Sequence, residues 1–223
     1  MLEKTSFLWD LRVKFVIVYG YLSRTMFLNS PCIKLQLVER MHIAICGELG
    51  SGCTEVGQLL SEMLGIKVIN SAAIIKSIVT DLKGVYPDES FGKFEEQVLS
   101  GEVDLDRMMA SEIQDYLEQG DTIVEGRSAF MLLNKSEVFK VLLVCPLETR
   151  INHVAKRRKI SVDEAKEDIR VSDSERQHMV EKLFKTFWLD PHCYDVIINT
   201  GLRSYKEAAE QIRDIVQKQQ TVS

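Results

Sequence analysis

The chain lacks most of the features that mark a specialised class. Its five cysteines (Cys32, Cys46, Cys53, Cys145 and Cys193) are odd in number and include no C-x-x-C pair, which excludes a disulfide scaffold. Cys46 and Cys145 lie within or at the ends of apolar strand patterns and read as small buried hydrophobes, and a reducing cytoplasm suits them. There is no excess of positive charge: 28 Lys+Arg against 33 Asp+Glu leave a net charge of −5, which argues against a nucleic-acid partner. There is no membrane-length segment either. In the first 40 residues the uncharged run Phe15 to Ser23 is about half the length a span needs, and no small-x-small cleavage signal follows it. His42, His153, His178 and His192 lack metal-ligand spacing and read as structural. No internal repeat and no low-complexity tract is present.

What remains is the composition of an ordinary globular protein, and 223 residues suffice for one good-sized core with insertions. The first 40 residues carry a net charge of +3, against −8 for the remainder. Met41 directly begins a strand pattern, so residues 1–40 are expected to be an artefact of start-codon choice; the alternative is a genuine N-terminal extension.

From Met41 onward, short apolar runs alternate with helical patterns. Strands are expected at 41–46, 67–69, 122–124, 139–145 and 194–198. Val56, Leu59, Leu60 and Met63 form one helical face that Gly65 would end, and Met109, Ile113, Tyr116 and Leu117 form another after Asp104-Leu-Asp106. Ser161-Val-Asp-Glu164 and Ser204-Tyr-Lys-Glu207 are capping boxes that start helices. The last helix should turn Tyr205, Ala208, Ala209, Ile212 and Val216 inward. This alternation predicts an α/β fold, a parallel sheet covered by helices on both faces, with ligands at the carboxyl ends of the strands. Two gaps, 71–120 and 146–193, exceed what a crossover needs and read as substrate arms or lids.

Gly47-Glu-Leu-Gly-Ser-Gly-Cys-Thr54 sits between the first strand and a helix and follows the phosphate-loop form G-x-x-x-x-G-K-[ST], with Cys53 where the lysine belongs. Glycines at 47, 50 and 52 let backbone N–H groups converge on an anion at a helix N-terminus. Thr54 stands where a hydroxyl would ligate Mg²⁺. The plainer alternative is a glycine turn between strand and helix. Cys53 is read as a small filler in the lysine's place, the alternative being a thiol activated by the helix end. Glu125-Gly126-Arg127 follows the third strand, where a carboxylate can hold Mg²⁺ through water and an arginine can grip a phosphate; the alternative is a surface ion pair. Arg150, Arg157, Arg158, Arg170 and Arg176 populate the second long gap. A lid of arginines suits phosphoryl transfer, and a solvated helical face is the alternative. Asp173, three residues before Arg176, would orient it.

These residues resemble the P-loop nucleoside monophosphate kinases, and among them the cytidylate kinase-like group, from 41 to about 217. The resemblance rests on Gly50-Ser-Gly52 with the helix through Ile66, on Glu125-Gly-Arg-Ser-Ala129, on Asp173-Ser-Glu-Arg176, and on 194–200. It implies a P-loop NTPase fold with a five-stranded parallel sheet, a monophosphate-binding insertion within 71–120 and a lid within 146–193. It implies transfer of the ATP γ-phosphate to CMP or dCMP with Mg²⁺. Gly47, Gly50, Ser51, Gly52, Cys53 and Thr54 would then hold ATP, with Thr200 and Gly201 near the adenine and Thr54 and Glu125 at the metal. Arg127 would hold the acceptor phosphate, Lys76 and Asp173 would contact the acceptor, and Arg157 or Arg158 with Arg176 would cover the transferring group. Lys76 stands where the family carries an arginine, and Ser71-Ala-Ala73 replaces more polar and glycine residues. Two other readings stay open: a nucleotide-binding sensor or scaffold that has lost transfer, and a P-loop kinase for a different small acceptor.

Overall fold

Every residue of the first strand, β1 (His42–Gly47), is buried, as a continuous apolar run between two helical layers must be. The computed structural model describes residues 40–85 and 104–222; the N-terminal segment through residue 39, and residues 86–103 of the expected acceptor arm, lie outside the described residues. After β1 come α1 (Cys53–Leu64), β2 (Lys67–Asn70), α2 (Ser71–Val85), α3 (Leu105–Gln119), β3 (Thr122–Glu125) and a 3-10 helix (Gly126–Leu132). They are followed by β4 (Val138–Val144), α4 (Leu147–Arg158), α5 (Val162–Phe184), a short 3-10 turn (Pro191–Cys193), β5 (Val196–Asn199) and α6 (Tyr205–Val222). All four strand pairings are parallel, in the order β2-β3-β1-β4-β5.

Side chains along β1 alternate between the two faces. Ala44 and Cys46 join a core with Met109, Ile113, Leu117, Phe130 and Trp188 beneath α2, α3 and α5. Ile43 and Ile45 join a second core with Val56, Leu60 and the inward face of α6. Phe130 and Trp188 meet edge-on, with ring centroids 5.6 Å apart. A third cluster joins Leu49 of the β1–α1 loop to Ile151, Val154, Ala165 and Ile169 of α4 and α5.

The local signals act where the sequence places them. Gly65 ends α1 at φ 68, Asp104 caps α3 through Arg107 N–H, and both capping boxes form. The expected first strand shifts by one residue, to 42–47. The expected fifth strand is corrected more: Tyr194 and Asp195 precede β5. Tyr194 closes the 3-10 turn, its hydroxyl donating to the Trp188 carbonyl, while Asp195 exchanges hydrogen bonds with the Lys140 backbone before regular pairing begins at Val196. Strand order reverses around β1, so the loops after β1 and β3 border one crevice at the carboxyl edge of the sheet.

Candidate functional site

The loop between β1 and α1 depends on its glycines. Gly50 and Gly52 lie at φ +89 and +93. A Cβ at Gly50 would approach the Arg150 carbonyl to 2.9 Å, and one at Gly52 would run into the Tyr205 ring. Ser51 N–H bonds back to the Glu48 carbonyl at 3.0 Å, and the buried Thr200 hydroxyl donates to the Ser51 carbonyl at 2.7 Å. Thr200 thus fastens the loop from beneath. Among the described residues no side chain caps the first turn of α1, which leaves its leading N–H groups for an anion.

Arg150 braces the same loop from α4. Its side chain is 7% exposed; Nη1 reaches Asp173 at 2.7 Å and Nη2 reaches Glu48 at 3.2 Å. Asp173 also accepts from Leu49 N–H at 3.3 Å, and Glu48 accepts from Cys145 N–H at 3.1 Å. Burial raises the Glu48 carboxyl, the Cys145 hydrogen bond and Arg150 pulling it back. Asp173, expected at the acceptor, is engaged with the loop, and lies 3.9 Å from Arg176.

At the front of the loop, the Thr54 hydroxyl lies 3.3 Å from both oxygens of Glu125. Glu125 is buried where β3 ends, level with Asn70 on β2 and Ile45 on β1. Burial raises its pKa, with hydrogen bonds from Asn70 and Thr54 opposing. A hydroxyl and a carboxylate at the mouth of a phosphate loop fit Mg²⁺, which takes one or two protein oxygens and completes its shell with phosphate and water. Cys53 precedes Thr54, its Sγ 3.7 Å from the Ser51 hydroxyl; burial pushes its thiol up to about 12, with the Ser51 hydrogen bond opposing. That thiol stays protonated, which supports the filler reading and opposes an activated nucleophile.

Beyond the crevice lies a chamber of about 710 Å³. Ile75, Met109, Met131 and Met179 supply its apolar lining. Arg127 pairs with Glu175 at 2.6 Å at its wall, both side chains about half exposed, and Lys182 pairs with Asp106 at 2.8 Å. Arg176 is buried on α5, donating to the Ser172 carbonyl and hydroxyl, and its Nε has no partner among the described residues. Burial lowers its pKa, Asp173 opposes that shift and Arg127 adds to it, and Cys53 is near enough to act on it only as the thiolate that its own raised pKa disfavours, so this cation lies within electrostatic reach of both the loop and Arg127.

The remaining expected residues divide. Arg157 lines a second cavity of about 440 Å³ with Gly50, Gly52 and Glu55. Its neighbour Arg158 points elsewhere and pairs with Asp168. Lys76 is exposed on α2, where Ser71 and Ile75 line the chamber and Lys76 does not. Sequence reasoning gives no functional role to Glu48 or Glu175, reads His153 as structural, and holds Arg150 as one arginine among several. Tyr205 was read as core, and its position against Gly52 was signalled only by the need for a glycine there.

Among the described residues no helix is long and apolar enough to cross a membrane. Residues 42–202 match the model of the cytidylate kinase-like family. A cytidylate kinase of Pyrococcus horikoshii is 28% identical over 163 residues, covering 73% of this chain and 81% of that protein. Among solved structures, an uncharacterized protein from Eubacterium ventriosum superposes with a TM-score of 0.61 at 19% identity, over 80% of this chain and 99% of that one. A shikimate kinase from Acinetobacter baumannii in complex with shikimate superposes with a TM-score of 0.51 at 17% identity, over 81% of this chain and 94% of that one. The two superpositions speak for the fold alone.

Proposed function

Because the chain belongs to the cytidylate kinase-like family, we propose that it transfers the γ-phosphoryl group of ATP to a nucleoside monophosphate, with CMP or dCMP as acceptor. What supports this reading is that the uncapped N-terminus of α1, after β1, and Arg127, after the neighbouring parallel strand β3, both follow the carboxyl edge of the sheet. The loop from Gly47 through Thr54 would hold the donor phosphates, and Thr54 and Glu125 the Mg²⁺. Arg127 would release Glu175 to take the acceptor phosphate in a bidentate grip. An acceptor phosphate oxygen attacks the γ-phosphorus and ADP leaves, while Arg176 and Arg157 neutralise charge on the transferring oxygens. Their cations replace the lysine that the loop lacks at Cys53. The names of the relatives support cytidylate as the acceptor, and a cytoplasmic setting supplies nucleotides and keeps thiols reduced.

The test is ADP production by the full chain with Mg·ATP, offering CMP, dCMP, UMP, AMP and GMP in turn. Turnover with CMP or dCMP supports the proposal. Turnover only with another acceptor moves the assignment to that compound, and ATP binding without acceptor-dependent ADP points to a binding module. Cys53→Lys should gain little if the arginines already supply the charge; a large gain in kcat would count against that arrangement.

A further inference from the structure

His153 stands on α4 beside the phosphate loop, and no functional expectation included it. Its Nδ1 is 3.0 Å from the Gly50 carbonyl and 3.1 Å from the Tyr205 hydroxyl. The Gly50 oxygen carries no proton, so a hydrogen bond there requires the proton on Nδ1. The Tyr205 ring, edge-on to the imidazole at 6.0 Å, holds the ring plane. With Nδ1 committed, Nε2 is the atom left to bind, and His153 lines the cavity of about 440 Å³ that also includes Gly50, Gly52 and Arg157. Neutral Nε2 offers only a lone pair, which a phosphate oxygen cannot use. Protonated Nε2 offers an N–H and a positive charge.

We infer that His153 is a donor-nucleotide ligand: locked by Gly50 through Nδ1, it binds a phosphate oxygen of a nucleoside triphosphate through protonated Nε2. It thereby adds charge to a loop that carries Cys53 instead of lysine. The inference rests on the reading of this loop as the donor site. Glu55 of α1, Lys156 and Arg157 of α4 and the Tyr205 hydroxyl of α6 are the titratable groups that line the same cavity. Because the contact needs the protonated ring, nucleotide affinity becomes pH-dependent, tighter toward acid pH.

The experiment is calorimetric binding of Mg·ATP and Mg·GTP to the full chain between pH 6 and 8.5 at saturating Mg²⁺, for the wild type, His153→Gln and His153→Arg. The wild type should bind about fivefold to tenfold more tightly at the acid end, the difference between a charge-assisted and a neutral contact. The slope should be equal for both nucleotides, since the phosphates are shared. His153→Gln should bind weakly with no slope, and His153→Arg tightly with no slope. A wild-type affinity that does not change with pH, a slope retained in His153→Gln, or one confined to ATP overturns the role of His153 while leaving the donor site standing. A wild-type chain that binds neither nucleotide at any pH overturns the donor-site reading and this inference with it.

Discussion

The two sides of the crevice handle charge in opposite ways. On the loop side, Arg150, Glu48 and Asp173 are largely withdrawn from water; Arg150 donates to the Leu49 carbonyl, Asp173 accepts from Leu49 N–H and Glu48 accepts from Cys145 N–H after β4, so each charge also holds a main-chain position. On the chamber side, Arg127–Glu175 and Lys182–Asp106 join half-exposed side chains from different elements. A buried pair is costly to break because the surviving partner is left uncompensated, whereas an exposed pair contributes little and exchanges readily for another anion. The loop is built to keep its shape, and the chamber to give its carboxylates up.

Breaking the brace should have the largest effect. Arg150→Met leaves Glu48 without its cation and Asp173 with only Arg176 at 3.9 Å, and should lower unfolding free energy by about 3–5 kcal/mol in a urea titration. It should also abolish Mg·ATP binding by calorimetry. The chamber variant Arg127→Gln should cost under about 1 kcal/mol of stability in the same titration. Its effect belongs in kinetics: acceptor KM should rise by about tenfold to a hundredfold, the worth of a charge-assisted contact, with the KM for ATP unchanged. If Arg127→Gln unfolds the protein as readily as Arg150→Met, the contrast between the two sides fails.

Glu125 tests the boundary between them. Folding raises its pKa above the ordinary 4.5, chiefly through burial. The folded chain therefore holds that proton more tightly than the unfolded chain. The stability from this group is complete below the ordinary value and is lost as pH rises through the raised one. Glu125→Gln should remove that loss, giving a Tm that falls less than the wild type's as pH rises from 4 toward 7. It should also raise the Mg²⁺ concentration needed for half-maximal turnover by about 10–100-fold. A steeper fall in Tm for the variant would mean that the carboxylate is stabilised by its hydrogen bonds and not penalised by burial. The smallest effect separates two adjacent arginines. Arg157→Gln should lower kcat, while Arg158→Gln, which loses only an exposed pair with Asp168, should leave kcat within about twofold and stability within about 1 kcal/mol.

Much of the fold was legible because its signals are local. Gly65, Asp104, Ser161 and Ser204 act on their own neighbours, and the apolar runs of β1 and β4 are long enough to announce buried strands. β5 begins later than its apolar run suggests because Asp195 is tied to the Lys140 backbone, a partner 55 positions away that no window of sequence contains, while Tyr194 turns back to the Trp188 carbonyl. The site was legible in part for the same reason. Gly47 through Thr54 is contiguous and Glu125-Gly-Arg127 closes a strand, so both could be read in place. Arg157 and Arg158 are neighbours in a helix, yet successive helical residues point about 100° apart, and only packing selects the one that faces the loop.

The sequence by itself determined the alternation of strands and helices, the glycine loop and the absence of its lysine, because each depends on residue type and short-range spacing. The tertiary structure alone decided that Asp173 serves the loop, that Arg176 is buried within reach of both Cys53 and Arg127, and that His153 rests on Gly50. Those relations join residues many positions apart in the chain. Their strength comes from burial and from the low-dielectric surroundings that only the assembled layers create.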